Sequence, residues 1–152
     1  MLTLAIYQPD IPQNTGAMLR TCACLGVSAA FVQPARFDVS DRNFRRAGLD
    51  YLDHVTIDRH DSWEDFEAWR AGTGRRLVLL TTKGAMRYTD FAYQPDDILM
   101  VGRESAGVPE TVHQAADARI VIPMRSGLRS LNVGISAAMV LGEAIRQISN
   151  LP

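Results

Sequence analysis

The stretch "ILMVGRESAGVPETV", residues 98 to 112, carries an apolar run into a polar turn within two residues. Gly102 and Gly107 permit close backbone approach and positive φ, Glu104 sets a carboxylate between them, and Pro109 suits the first position of a helix. Taken alone, this is either a ligand cradle or a glycine-rich connection with a solvated Glu. Two other stretches carry polar residues in comparable places. In "NTGAMLR", Asn14 is a candidate helix N-cap and Arg20 follows six residues later, in the second turn of that helix. A cation near a helix N-terminus gains nothing from the dipole, which suggests an anionic partner, although a lone Arg is more often a surface residue. In "IPMRSGLRSLNVG", Arg125 and Arg129 precede Ser130 and Asn132 at the start of a helix, where polar residues commonly serve as caps.

Common nucleotide sites do not fit these residues. From Gly102 to Gly107 the spacing matches a P-loop, but Val108 and Pro109 replace the Lys and hydroxyl that would hold phosphate and magnesium. Residues 8 to 16, "QPDIPQNTG", lack the G-x-G-x-x-G that a dinucleotide fold needs after its first strand, and no G-x-S-x-G elbow occurs. Cys22 and Cys24 are two apart in a helix and point to different faces. With three scattered His they form no ligand spacing, so free thiols and no metal are expected.

The elements that must position these residues alternate in type. "LTLAIY" reads as a first strand, followed by a helix from Asn14 to a stop at Gly26, and "SAAFVQP" as a second strand. "SDRNFRRAGLDY" reads as a short helix and exposed loop, and "DHVTI" as a third strand. "SWEDFEAWRAG" reads as a helix with Ser62 and Asp65 in a weak capping box and Gly72 at its end. Three further strands, "RRLVLLTT", "DILMVG" and "ARIVIP", each end in a loop, and a long helix runs from about Leu131 to Ile148. The alternation predicts an α/β fold, a mostly parallel sheet with helices on both faces. In such sheets ligands bind outside the carboxyl ends of the strands, where these loops lie.

Composition bounds the rest. The 152 residues correspond to one domain, 1 to 152, and 47% hydrophobic content suits a globule that needs neither disulfide nor metal. Sixteen basic and seventeen acidic side chains leave a net charge of -1, so nucleic-acid binding must be local rather than a global basic field. The longest apolar runs, about 6 to 8 residues, are too short to span a bilayer. The N-terminus has no signal-peptide pattern, and the expected location is the cytoplasm without membrane association.

Together, "IPQNTGAMLRTC", "LMVGRESAGVP" and "IPMRSGLRSLNVGISAAMVLGEAIRQ" resemble the three motifs of the SPOUT RNA 2'-O-ribose methyltransferases, in order and separation, over nearly the whole chain. "RRAGLDY" at 45 to 51 and "LTTKG" at 80 to 84 narrow the resemblance to the TrmL (YibK) family, which methylates the wobble ribose, position 34, of tRNA. The resemblance implies a C-terminal trefoil knot and a pocket for S-adenosylmethionine (SAM), with S-adenosylhomocysteine as product and no metal. By position it implies that Leu80, Gly102, Ile122 and Ser130 line the cofactor site, with Thr81, Met124 and Leu131 nearby. It also implies that Asn14, Arg20, Glu104 and Asn132 are the catalytic-motif residues. One departure is Gly134, where the motif commonly has a hydroxyl. A second is Arg125, where relatives often have a neutral residue, and which adds a candidate phosphate contact.

For RNA, the resemblance and the local charge point to Arg42, Arg45 and Arg46, helped by Arg125 and Arg129, as contacts to the tRNA anticodon arm; the bland reading of the cluster is a solvated helix face. An Arg scarcely ever deprotonates, so Arg20 suits oxyanion stabilisation or phosphate binding better than the role of base. The small residues Gly134, Ala138 and Gly142, four apart, let another helix approach closely, and the family implies a homodimer through the first and last helices. Two other readings remain at this stage: a SPOUT enzyme acting on another tRNA or rRNA ribose, and a catalytically silent RNA-binding module.

Overall fold

The structure, a computed structural model, describes residues 1 to 47 and 49 to 149. Gly48, inside the motif stretch 45 to 51, lies outside the described residues, as do residues 150 to 152. Seven strands form one sheet: β1 Thr3–Tyr7, β2 Ser28–Val32, β3 Ile57–His60, β4 Leu77–Leu80, β5 Met86–Arg87, β6 Ile98–Val101 and β7 Ala118–Val121. Their order is β3-β2-β1-β6-β4-β7-β5, and every neighbouring pair is parallel. Helices α1 Pro12–Leu25, α2 Asp41–Arg46, α3 Trp63–Thr73, α4 Glu110–Ala115 and α5 Val133–Ile148 complete the described fold with one 3-10 turn, Leu52–His54.

Alternation along β1 explains the two layers. Leu4 and Ile6 join Met18, Leu19, Leu141 and Ala144 beneath α1 and α5, while Ala5 and Tyr7 join Phe66 and Val112 beneath α3 and α4. A strand buried on both faces needs no polar positions, which is why β1, β2, β4 and β6 read as continuous apolar runs. The parallel, doubly covered sheet agrees with the fold class expected from the sequence.

Several boundaries differ from the sequence expectations. Helix α1 begins at Pro12, whose fixed φ suits a first helical position, with Ile11 as an N-cap lacking a side-chain bond. Asn14 is therefore inside the helix rather than its cap, and Arg20 lies in the third turn rather than the second. Gly26 ends α1 at φ 67, as expected, whereas α3 runs past Gly72 to Gly74, whose φ of 69 supplies the left-handed cap. Pro109 is the N-cap of α4, one position before its first residue.

The strand expected over 53 to 57 starts later. Leu52–His54 turns, Ala29 donates its backbone N–H to the Thr56 carbonyl at 2.8 Å, and pairing with β2 then carries Ile57–His60. On this half-exposed edge the ladder, not the apolar pattern, defines the strand. β5 went unanticipated because its two exposed residues carry no alternation.

Candidate active site

The carboxyl ends of β1, β4, β6 and β7 open into one cavity of about 550 Å³. Leu79, Val101 and Ile122 give it an apolar wall, and the loops after the strands give it polar atoms. All seven residues expected to hold a cofactor line it: Leu80 and Thr81 after β4, Gly102 after β6, and Ile122, Met124, Ser130 and Leu131 after β7. Three of the four catalytic-motif residues, Asn14, Glu104 and Asn132, line it as well.

Loop geometry follows from a few residues. After β6 the chain folds back on itself, with Arg103 N–H donating to the Gly107 carbonyl at 3.1 Å and Gly107 N–H to the Arg103 carbonyl at 2.8 Å. A Cβ on Gly102 would lie 2.8 Å from the Gly107 carbonyl carbon, so the close approach that requires glycine at 102 is to the loop's own backbone. Gly107 itself sits at φ 60 with open space around it. After β4, a Cβ on Gly84 would lie 2.6 Å from the Ile120 carbonyl, which presses the Thr81 to Gly84 turn onto β7. The loop after β7 turns at Gly127, φ 85, and holds Leu128 68% exposed beside the exposed Arg125 and Arg129.

A hydrogen-bonded chain joins three elements at the cavity. Asn132, the N-cap of α5, accepts from Gly134 N–H at 2.8 Å and Ile135 N–H at 3.2 Å through Oδ1. Because Oδ1 is committed to backbone donors, Nδ2 must donate onward, and it reaches Asn14 Oδ1 at 3.0 Å. Asn14 Nδ2 then donates to Glu104 Oε1 at 3.3 Å. Both amide orientations thus descend from the start of α5. Gly134, the departure from the motif hydroxyl, leaves room for this arrangement, since a Cβ there would sit 3.2 Å from Asn132 Oδ1.

Glu104 is half-buried, and its Oε2 is buried without a partner. Burial, and next its interaction with Asp10, raise its pKa above the ordinary glutamate range. Asp10 accepts from Glu104 N–H at 3.3 Å and from the Ser105 hydroxyl. The Glu104 side chain, with help from Ser105, holds the Asp10 carboxyl down at about 2. Sequence reading missed Asp10. Its signal was its place just past β1, a fourth strand end beside the three that were singled out.

Arg20 stands apart from this assembly. It is exposed on α1, its guanidinium lies over the Tyr51 ring at 4.8 Å, and it does not line the cavity of its own chain. Arg42, Arg45 and Arg46 are exposed on α2, on the same flank as Tyr51, with Arg45 in an ion pair to Asp53 at 2.7 Å. Of the five arginines expected at RNA, only Arg129 lines the cavity. Cys22 is buried and Cys24 exposed, both free, as their spacing implied. No helix among the described residues is long and apolar enough to cross a membrane.

Residues 1 to 142 match the SpoU rRNA Methylase family. A tRNA (cytidine(34)-2'-O)-methyltransferase of Beijerinckia indica is 67% identical over 148 residues, covering 97% of this chain and 92% of the relative. A solved structure described as giving insights into 2-OH methylation of C/U34 on tRNA superposes with a TM-score of 0.87 at 37% identity, covering 97% and 90% of the two chains. The SpoU methyltransferase AviRb of Streptomyces viridochromogenes, in complex with the cofactor AdoMet, superposes with a TM-score of 0.85 at 28% identity, over 97% of this chain and 60% of the other. Sequence and fold agree over nearly the full length, and the chain belongs to the SpoU methylase family.

Proposed function

We propose that the protein transfers a methyl group from SAM to the ribose 2'-hydroxyl of the wobble nucleotide, position 34, of tRNA, cytidine or modified uridine. The observation that carries this reading is the single cavity into which the three motif loops converge with the Asn132, Asn14 and Glu104 chain at its side. The 67% identity to a cytidine(34) enzyme supports the nucleotide assignment.

The cavity suits the cofactor. Its volume of about 550 Å³ lies within the range of small-molecule sites, and its mixture of apolar wall and loop backbone matches an adenosine with a charged tail. Leu80, Thr81, Gly102, Ile122, Met124, Ser130 and Leu131 would hold it. When bound, SAM supplies a methyl group already activated on a sulfonium. The protein's work is then largely to orient the ribose hydroxyl and accommodate its proton. Asn14 and Asn132 are held rigidly by the α5 N-terminus and fix Glu104 beside the cavity. Arg20 acts as an electrostatic partner for the developing oxyanion or an adjacent phosphate.

The position of Arg20 supports assembly as a homodimer. In its own chain it does not line the cavity, so a second subunit would have to supply it. Ile135, 57% exposed, and Met139, with Ala138 and Gly142, form an apolar stripe on α5 beside α1. Gly134, the first of the small residues, faces its own chain instead, where an added Cβ would come within 3.8 Å of Ala17. In this assembly Arg42, Arg45, Arg46, Arg125 and Arg129 would grip the anticodon arm across both subunits. The chain would act as a single domain, with its β6 to α5 segment threaded as a trefoil knot. The return of α5 to α1 and β6, after β7 has crossed to the far side of β4, supports such threading.

Mass-spectrometric mapping of tRNA incubated with the purified protein and SAM tests the reading. A methylated ribose at position 34 is the expected result. Methylation at another ribose would overturn the wobble assignment, and SAM binding without transfer to any RNA would overturn the enzymatic one.

A further inference from the structure

We propose that Asp10 is a positioning residue that holds Glu104 through a single shared proton, so that in the free protein the two carboxyl groups act as one acid pair at the cavity. The geometry comes from the sheet register. Ile6 pairs with Val101, so the chains leaving β1 and β6 emerge side by side, and Asp10 meets the turn at Glu104 and Ser105. Asp10 already accepts from the Glu104 backbone N–H and the Ser105 hydroxyl.

The amide chain from α5 determines where the proton must be. Asn132 and Asn14 are both oriented by the backbone donors at Gly134 and Ile135, so Glu104 Oε1 can only accept. The other oxygen, Oε2, is buried without a partner. An ionised Oε2 would be a desolvated charge with no donor, which costs heavily, whereas a protonated Oε2 can donate to the Asp10 carboxylate. The opposite displacements of the two groups agree with this division, Glu104 raised and Asp10 lowered. Of the charged groups nearby, Arg103 is turned away, with Nε on the Gly107 carbonyl at 3.0 Å and its guanidinium over Tyr7. Arg129 lines the cavity from the loop after β7. Asn14 faces Glu104 from α1 as a neutral donor. Asp10 is thus the ionisable side chain that engages Glu104, and it ties a proton to the amide chain that reaches α5.

The inference concerns the free protein and stands whichever nucleotide is methylated. Carboxyl-carbon NMR titration of the full chain labelled at Asp and Glu tests it, with Glu104 and Asp10 identified through Glu104→Gln and Asp10→Asn. Glu104 is expected to titrate above the ordinary glutamate range and Asp10 below the ordinary aspartate range. In Asp10→Asn, which keeps an acceptor for Ser105, the Glu104 midpoint should fall. The side-chain amide signal of Asn14, which donates to Glu104, should report the same midpoint and the same fall in Asp10→Asn, whereas a merely structural Asp10 would leave that midpoint in place. Ordinary titration of both groups in the wild type, a Glu104 midpoint unmoved by Asp10→Asn, or an Asn14 signal indifferent to it would each overturn the proposal.

Discussion

Glu104 is the residue whose environment most constrains its chemistry. Its pKa is raised in the folded state, so the stability it contributes is fully present below the ordinary glutamate value of 4.5 and is lost as pH rises through the raised value. Asp10 has the opposite sign: its contribution is present above 3.8 and is lost as pH falls through about 2. A Glu104→Gln variant keeps an acceptor for Asn14 and a donor for Asp10 but cannot ionise. Its melting temperature relative to wild type should therefore climb as pH rises above 4.5, and thermal melts across that range would show a flat difference if Glu104 were not held neutral. The two loop glycines also separate at this scale. Gly107→Ala should cost about 1 kcal/mol for its positive φ alone. Gly102→Ala should cost more, because its Cβ meets the Gly107 backbone, and denaturant unfolding that ranked them the other way would remove that account. Gly102→Val would meet the same backbone, so its effect on cofactor binding cannot be separated from its effect on the loop.

Helix α5 does two jobs through one side chain. Asn132 accepts two backbone N–H groups of the first turn and passes its own amide to Asn14. Asn132→Ala should lower stability by about 1 kcal/mol, as the loss of an N-cap does, and should lower methyl transfer as well. Asn132→Asp keeps the cap oxygen and removes the donor. Near-wild-type melting with reduced transfer is expected for it, and undiminished transfer in Asn132→Asp would mean that Asn132 serves only the helix. Farther along the same helix, Leu141 is fully buried between α5 and the sheet, and Leu141→Ala should cost about 2 to 5 kcal/mol in urea unfolding.

At the scale of the molecule, the exposed stripe on α5 and the remoteness of Arg20 from its own cavity would both be answered by the proposed dimer. Light scattering should give twice the monomer mass, and Ile135→Glu with Met139→Glu should leave monomers that keep SAM binding and lose tRNA methylation. Co-expression of an Arg20→Ala subunit with a Thr81→Arg subunit, whose cavity is blocked, provides the sharper measurement. If Arg20 serves its partner's cavity, the mixed dimer regains one working site; no recovery would place all the chemistry within one subunit.

Much of this was readable from residue order. Continuous apolar strands, the glycine stop at 26, the Ser62 cap and the three motif loops report local preferences that packing did not reverse, so the parallel sheet and the placement of those loops followed from them, while the cofactor-site residues came from the family resemblance. Family resemblance added the chemistry. What residue order could not contain were relations between segments far apart in the chain. Asn14 looks like a cap in sequence, yet Pro12 starts the helix earlier and leaves its amide free to bridge 118 residues to Asn132 and 90 to Glu104. Asp10 looks like a turn residue until the pairing of β1 with β6 brings it to Glu104. Gly102 lines the cavity as its motif implied, but only the hairpin shows that the atoms crowding it belong to Gly107. Hydrogen bonds and steric contacts act over a few ångströms of space, and only the order in which the sheet assembles its strands decides which distant residues come within that reach.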